Sequence, residues 1–156
     1  MKITKFQNDD TQEIIQLFYD TVHTVNALDY TKDQIDAWAP LDKIQLKLES
    51  WSKSLSANIT YVAKINTTIV GFGDLTIGGL LDRLYVHKDF QRKGIATELL
   101  NKLESEALKL NLLEIQTYAS ITAKTFFETN GFTSISVNNV ERNGTVLTNF
   151  LMVKRL

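Results

Sequence analysis

Between Leu80 and Tyr118 the apolar pattern switches from strand to helix and back, and this switch restricts the fold more than any other part of the chain. Leu80 to Val86, apolar except for Asp82 and Arg83 and ending in Leu84-Tyr85-Val86, reads as a strand, and His87 to Lys93 is a short, mostly polar loop. From Gly94 onward, apolar residues at Ala96, Leu99, Leu100, Leu103 and Ala107 keep the spacing of one helix face. Leu112 to Tyr118 then reads as a strand again. Because a helix separates the two strands, they run parallel through a right-handed crossover. The loop has chemistry of its own. The first N–H groups of a helix lack intrahelical acceptors, and the macrodipole adds about half a positive charge there, so such a loop attracts phosphate. Gly94 lets a ligand approach the backbone closely.

The residues on either side build a mixed α/β chain around this unit. Lys2 to Phe6 suits a first strand. Asp9 or Asp10 caps a helix whose stripe is Ile14, Leu17, Phe18, Val22 and Val25, reaching about Ala27. A second helix follows Thr31, through Ile35 to Trp38, and Pro40 suits the first turn of a third whose buried face is Leu41, Ile44, Leu48, Trp51 and Leu55. Ile59 to Ile65 and Ile69 to Ile77 form a hairpin around Asn66-Thr67, and Gly78-Gly79 turns into Leu80. Gly71 and Gly73 mark a bulge or a close backbone approach, since no third glycine and no helix follow to make a dinucleotide fingerprint. Ser120 caps a helix over Ile121 to Thr129 that Asn130-Gly131 stops, and strands Phe132–Val137 and Thr145–Lys154 flank the turn Asn143-Gly144.

Composition closes several routes. The length of 156 residues suits a single domain spanning 1–156. A net charge of −1, with basic residues spread out, argues against a nucleic-acid footprint. With no cysteine, disulfides, thiolate metal sites and a thiol nucleophile are excluded. No signal-like apolar segment opens the chain and no apolar run approaches a membrane span, so a cytoplasmic protein away from the membrane is expected, in which the Asn-x-Thr triplets at Asn58, Asn66 and Asn143 are silent. A P-loop nucleotide enzyme is discounted because no Gly-Lys-Ser/Thr is present.

The run Gln91-Arg92-Lys93-Gly94-Ile95-Ala96 resembles motif A of the GCN5-related N-acetyltransferases (GNAT), Gln/Arg-x-x-Gly-x-Gly/Ala. Ala123-Lys124-Thr125-Phe126-Phe127-Glu128-Thr129-Asn130-Gly131-Phe132 is similar to the family's motif B, in the right order and spacing. The resemblance implies a mostly antiparallel central sheet, flanked by helices, whose parallel strands splay apart. It implies that acetyl-coenzyme A is the acetyl donor, with its pyrophosphate on Gln91, Arg92, Lys93, Gly94, Ile95, Ala96 and Thr97 and its pantetheine arm along the backbone of Leu84, Tyr85 and Val86. Ser120 stands where many relatives have an asparagine that contacts pantetheine, although a helix cap alone would also explain it. No metal is implied. The acceptor would be a small-molecule amine or a peptide, and homodimers are common in the family.

Acetyl transfer to an amine requires a neutral nucleophile, a held oxyanion and a proton for the thiolate. The resemblance gives the Val86 N–H the oxyanion. Asp82 is the leading base, because strict alternation puts it on one face with Leu84 and Val86; the competing reading is a surface partner for Arg83. Asp74 is the second carboxylate, and His87 reads as a solvent-exposed loop residue. The family's general-acid tyrosine falls at Phe127, which has no proton to give; Tyr118 or Ser120 would substitute, with Tyr118 equally readable as a packing residue. The resemblance implies an acceptor pocket lined from the polar and aromatic cluster His23, Asn26, Asp29, Tyr30 and Trp38, of which Trp38 also reads as core and Asp29 as a turn residue. Phe127 keeps a second function open, a non-catalytic acyl-coenzyme A sensor of the same fold.

Overall fold

A computed structural model describes residues 1–156. The elements run β1 (Lys2–Lys5), α1 (Thr11–Thr24), α2 (Lys32–Trp38), α3 (Lys47–Ala57), β2 (Ile59–Ile65), β3 (Thr68–Leu75), β4 (Leu80–Val86), α4 (Ile95–Lys109), β5 (Glu114–Ser120), α5 (Lys124–Thr129), β6 (Thr133–Arg142) and β7 (Thr145–Arg155). The strands form one sheet of seven in the order β1-β2-β3-β4-β5-β7-β6. Every neighbouring pair is antiparallel except β4 and β5, as the intervening helix requires. The expected mixed, mostly antiparallel sheet flanked by helices is what forms. No helix is long and apolar enough to cross a membrane.

Each face of the sheet buries its own cluster. On one, α4 lays Ile95, Leu99, Leu100, Leu103 and Ala107 against Val70, Leu81 and Ile115, with Phe127 and Phe132 joining from the α5 side. On the other, Ile14, Phe18 and Val22 of α1 pack with Ile35 and Leu55 on Val62, Ile69 and Phe72. Gly71 and Gly73 allow α4 its close approach: a Cβ at Gly71 would stand 2.9 Å from Ile95 Cγ2, and one at Gly73 would stand 3.1 Å from Leu103 Cδ1.

Several boundaries differ from the sequence reading. The segment after Pro40 is a 3-10 helix over Leu41–Leu46, and α3 starts only at Lys47. Three residues per turn do not carry a 3.6-residue stripe forward. Of the proposed buried face, therefore, only Leu55 is fully buried; Ile44 and Trp51 are half-buried, and Leu41 and Leu48 are exposed. α1 ends at Thr24, with a separate 3-10 turn over Asn26–Leu28. β3 stops at Leu75, because Thr76 turns back: its N–H donates to the Leu80 carbonyl at 2.8 Å and its Oγ1 accepts from the Leu80 N–H at 2.9 Å. β5 starts two residues late, at Glu114, since the Leu112 N–H still closes the end of α4 on the Ala107 carbonyl with Asn111 at φ 59°. α5 begins at Lys124 rather than Ile121, and β6 runs on to Arg142, beyond the expected Val137.

Leu103 is fully buried between α4 and the sheet. Leu103→Ala should therefore destabilise the protein by ~2–5 kcal/mol in urea unfolding, with the midpoint shifted and the slope unchanged.

Candidate active site

β4 and β5 pair only at Leu80↔Gln116 and Leu81↔Thr117 and then separate. Two interactions fix the point of parting. The Gln116 N–H donates to the Gly79 carbonyl at 2.9 Å, and Thr117 Oγ1 donates to the Leu81 carbonyl at 2.9 Å. Immediately beyond, the β3–β4 register shifts so that Asp82 is an extra, bulged residue between the pairs Leu75↔Leu81 and Asp74↔Arg83. A bulge bends its strand and increases the twist, which carries β4 away with β3 while β5 stays with β7. The result is a cleft of about 1520 Å³.

One edge of the gap is lined with donors. The His87 N–H donates to the Val70 carbonyl at 2.8 Å, across to β3, so alternation turns the N–H groups of Leu84 and Val86 the other way, into the gap. The Val86 carbonyl already accepts from Thr21 Oγ1 of α1 at 3.0 Å and from Gln91 Nε2 at 2.7 Å. Gln91 Nε2 also reaches the His87 carbonyl at 3.3 Å, so its side chain staples the loop rather than facing a ligand. From Gln91 to Thr97 no backbone N–H has a protein acceptor. Gly94, at φ 81°, has open space where a Cβ would stand, and Arg92 joins it in the left-handed region at φ 60°. Successive free N–H groups in such a conformation form an anion-binding concavity suited to a diphosphate. Lys93 Nζ lies 5.9 Å from the ring centroid of Phe90, which lines the cleft, but Lys93 is not itself part of the cleft wall.

Of the proposed acceptor and base residues, Asn26, Asp29, Tyr30, Trp38 and Asp82 reach the cleft; His23 and Asp74 do not. His23 Nε2 donates to the Ala39 carbonyl at 2.7 Å and its ring stacks on Tyr19, so it secures the link after α2. Asp74 is fully buried; it accepts from Arg83 Nη2 at 2.6 Å, from Arg83 Nε and from Asn58 Nδ2, which leaves no oxygen for an acceptor. Tyr30 is also committed, since its hydroxyl donates to the Thr148 carbonyl and accepts from the Ile121 N–H, each at 2.9 Å, tying the N-terminal half to β7 and to the loop after β5. It stays in the cleft wall, with its ring edge-on to Trp38. Asn26 is almost fully buried.

The bulge corrects the argument that assigned Asp82 its face. As the extra residue it does not share the side of Leu84 and Val86; its half-exposed carboxylate lies 3.8 Å from Arg83 Nη2, on the α3 side. Desolvation and the buried Asp74 charge raise its pKa above the ordinary carboxylate value, with Arg83 and Arg142 opposing. Tyr118 is inside β5 rather than at its end; it is half-exposed and faces the cleft opposite to the buried Thr117 and Ala119. Ser120 and Phe127 line the cleft too, but Ser120 Oγ accepts from the Ala123 N–H at 3.1 Å as a turn residue ahead of α5, and Phe127 packs edge-on to Phe126 and Phe132. His87 stays in the loop, where its Nδ1 accepts from the Asp89 N–H.

Lys47, Trp51, Arg83 and Arg142 also line the cleft; the sequence reading has Trp51 as core and Arg83 as a surface partner of Asp82, and none of the four as a site residue. So does the Tyr85 side chain, whose ring packs on Phe18 and Phe72 and whose hydroxyl is pushed up in pKa by burial. Thr122 Oγ1 and Asn149 Oδ1 are buried in the same wall without a partner in the protein. These residues come from α3, β4, β6, β7 and the turn between β5 and α5, so no local pattern joins them.

Residues 26–155 match the acetyltransferase (GNAT) domain family. The chain is 35% identical over 153 residues to the uncharacterized N-acetyltransferase YafP of Escherichia coli K12, covering 97% of this chain and 94% of that one. Among solved structures, a GCN5-related N-acetyltransferase from Rhodopseudomonas palustris superposes with a TM-score of 0.93 at 28% identity, over 99% of this chain and 95% of the other. The PaiA N-acetyltransferase of Thermoplasma acidophilum, solved in complex with coenzyme A, has the same fold: TM-score 0.77 at 22% identity, over 99% and 98%.

Gly94→Asp puts a carboxylate into the row of free N–H groups. Like charges about 4 Å apart repel by ~4 kcal/mol at an effective dielectric near 20, so coenzyme A affinity measured by calorimetry should fall by ~100-fold or more. The circular dichroism spectrum should change little, because nothing stands within 4 Å of the new Cβ and aspartate is among the residues that best tolerate a left-handed φ such as the 81° found here.

Proposed function

The chain belongs to the GCN5-related N-acetyltransferase superfamily, and from that premise we propose that residues 1–156 act as one acetyltransferase unit moving the acetyl group of acetyl-coenzyme A to an amine by direct attack. The observation that carries this reading is the unpartnered N–H row from Gln91 to Thr97 at the mouth of a parted strand pair. The residues present fit the coenzyme. Free N–H groups at the start of α4 suit its diphosphate, the N–H groups of Leu84 and Val86 suit an amide-bearing arm added like a strand, and Thr122 Oγ1 and Asn149 Oδ1 are buried polar atoms in want of a partner. That coenzyme A accompanies the Thermoplasma relative agrees with this. When bound, acetyl-coenzyme A supplies the acyl group and a thiolate leaving group.

The chain's own residues then have separable tasks. An acceptor arriving as an ammonium must lose a proton before its nitrogen can attack, and Asp82 takes that proton directly or through water. Its raised pKa favours the transfer, because a base is most effective when its pKa lies near the working pH. The Val86 N–H points into the gap and holds the oxygen that gains negative charge as the new C–N bond forms. Tyr118 is the hydroxyl on the facing strand that returns a proton to the thiolate as the C–S bond breaks, in place of the acid that Phe127 cannot supply. In sum, an ammonium and a thioester give an amide, a thiol and one proton. The protein works without a membrane, in the cytoplasm.

Phe127 favours the second reading, an acyl-coenzyme A sensor without turnover. Thiol release measured against a panel of amines separates the two: release with any amine supports the enzyme, and tight acetyl-coenzyme A binding with no release on any amine supports the sensor. For the enzyme, kcat/KM should fall as pH drops through the Asp82 pKa, because protonation removes the base. Asp82→Asn should lower it ~10²–10⁴-fold at acidic pH and much less at alkaline pH, where the amine is already neutral; a uniform loss would remove Asp82 from this role. Tyr118→Phe should lower kcat by ~10²-fold or more with KM little changed.

A further inference from the structure

The acceptor end of the cleft is cationic, and its cations are held there by specific contacts. Lys47 Nζ and Arg83 Cζ both stand over the Trp51 ring, 5.8 Å and 4.6 Å from its centroid. The third cation comes from the far side of the sheet. Arg142 ends β6, at the tip of the β6–β7 hairpin, where Asn143 at φ 48° and Gly144 at φ 82° make the tight turn. That tip is tied across to the N-terminal half: Asn143 Nδ2 donates to the Ala37 carbonyl at 2.8 Å, and Gln34 Nε2 donates to the Val146 carbonyl at 3.1 Å.

The carboxylates nearby do not neutralise this group. Arg83 is matched by buried Asp74; Asp82 lies within 4.0 Å of Arg83 alone and acts on Arg142 only through space, and Asp29, in the same cleft wall, makes no ion pair. Lys47 and Arg142 have no carboxylate within 4.0 Å, although both line the cleft. The Lys47 ammonium is held below its ordinary pKa by burial and by repulsion from Arg142 and Arg83, so these charges share one field. Cations facing each other across a half-desolvated cleft are unfavourable unless something negative comes between them.

We infer that the acceptor carries an oxyanion, a carboxylate or phosphate, bound between Lys47 and Arg142 while its amine is directed to Asp82. This rests on the acetyl-transfer reading and specifies its substrate class. Arg142 contributes a planar fork matched to two oxygens and Lys47 a point charge.

The test is direct binding by calorimetry to the protein saturated with coenzyme A. The ligands are matched sets: glycine, β-alanine and phenylalanine, their carboxamides, and 2-aminoethylphosphonate as the phosphate-like counterpart of β-alanine. At least one acid or the phosphonate should bind ~10-fold or more tighter than its amide, the worth of a charge-assisted hydrogen bond. The relative rank of β-alanine and its phosphonate tells carboxylate from phosphate. Arg142→Gln and Lys47→Met should each erase the preference while coenzyme A affinity stays unchanged, and Arg142→Glu should favour the amides. Acids and phosphonate binding no better than amides throughout would overturn the inference, as would substitutions that weaken coenzyme A instead of the acceptor. Because binding is read separately from thiol release, acid-selective binding without turnover would uphold the anion site and overturn acetyl transfer. Turnover indifferent to acceptor charge would do the reverse.

Discussion

The separation of β4 from β5 is the constraint on which the rest of the site depends. A sheet interior normally leaves no backbone donor free, because each strand satisfies its neighbours. Here the parallel ladder stops at Leu81↔Thr117, and the bulge at Asp82 follows at once. β4 leaves with β3, and β5 remains in register with β7 along its whole length. The gap therefore has a donor edge of main-chain groups that no substitution other than proline removes. Thr117 Oγ1 on the Leu81 carbonyl marks the vertex, and α4, lying close on Gly71 and Gly73, supports the strand that leaves.

Around that gap the molecule divides its labour between the two faces of the sheet. The face covered by α4 carries the loop with free N–H groups, and its core is aliphatic with a phenylalanine cluster at one end. The face covered by α1, α2 and α3 is aromatic, with Phe18, Trp51, Phe72 and Tyr85 in mutual contact, and it carries the charged residues Asp82, Arg83 and Lys47. A packed aromatic layer keeps water from the back of those charges, which strengthens every interaction they make at the front. The β6–β7 hairpin then reaches over from the opposite end of the sheet order, tied down by Asn143, Gln34 and Tyr30.

The parts legible in the sequence were those with local physical signatures. The strand–loop–helix around Gly94 is visible because a period change and a glycine occur together, and the Asn143-Gly144 turn because few other dipeptides adopt its backbone conformation cheaply. The third helix misled, since a 3-10 segment carries apolar residues without keeping them on one face. Asp82 was placed on the wrong side by strict alternation: a one-residue bulge leaves no mark in the sequence yet turns the side chain over. Asp74 and Arg83 look like ordinary strand charges until folding buries one and lays the other on Trp51. Lys47 and Arg142 are 95 positions apart by number (142 − 47), and only the fold brings them to one cleft.

The Val86 carbonyl has both of its lone pairs engaged, one by the Thr21 hydroxyl from α1 and one by the Gln91 amide from the loop. What this residue still offers to the gap is a hydrogen without a neighbouring electron-rich oxygen to repel an approaching carbonyl. The same oxygen is a shared hinge-pin for the first helix and the loop before α4, so a displacement of either strains a bond belonging to the other.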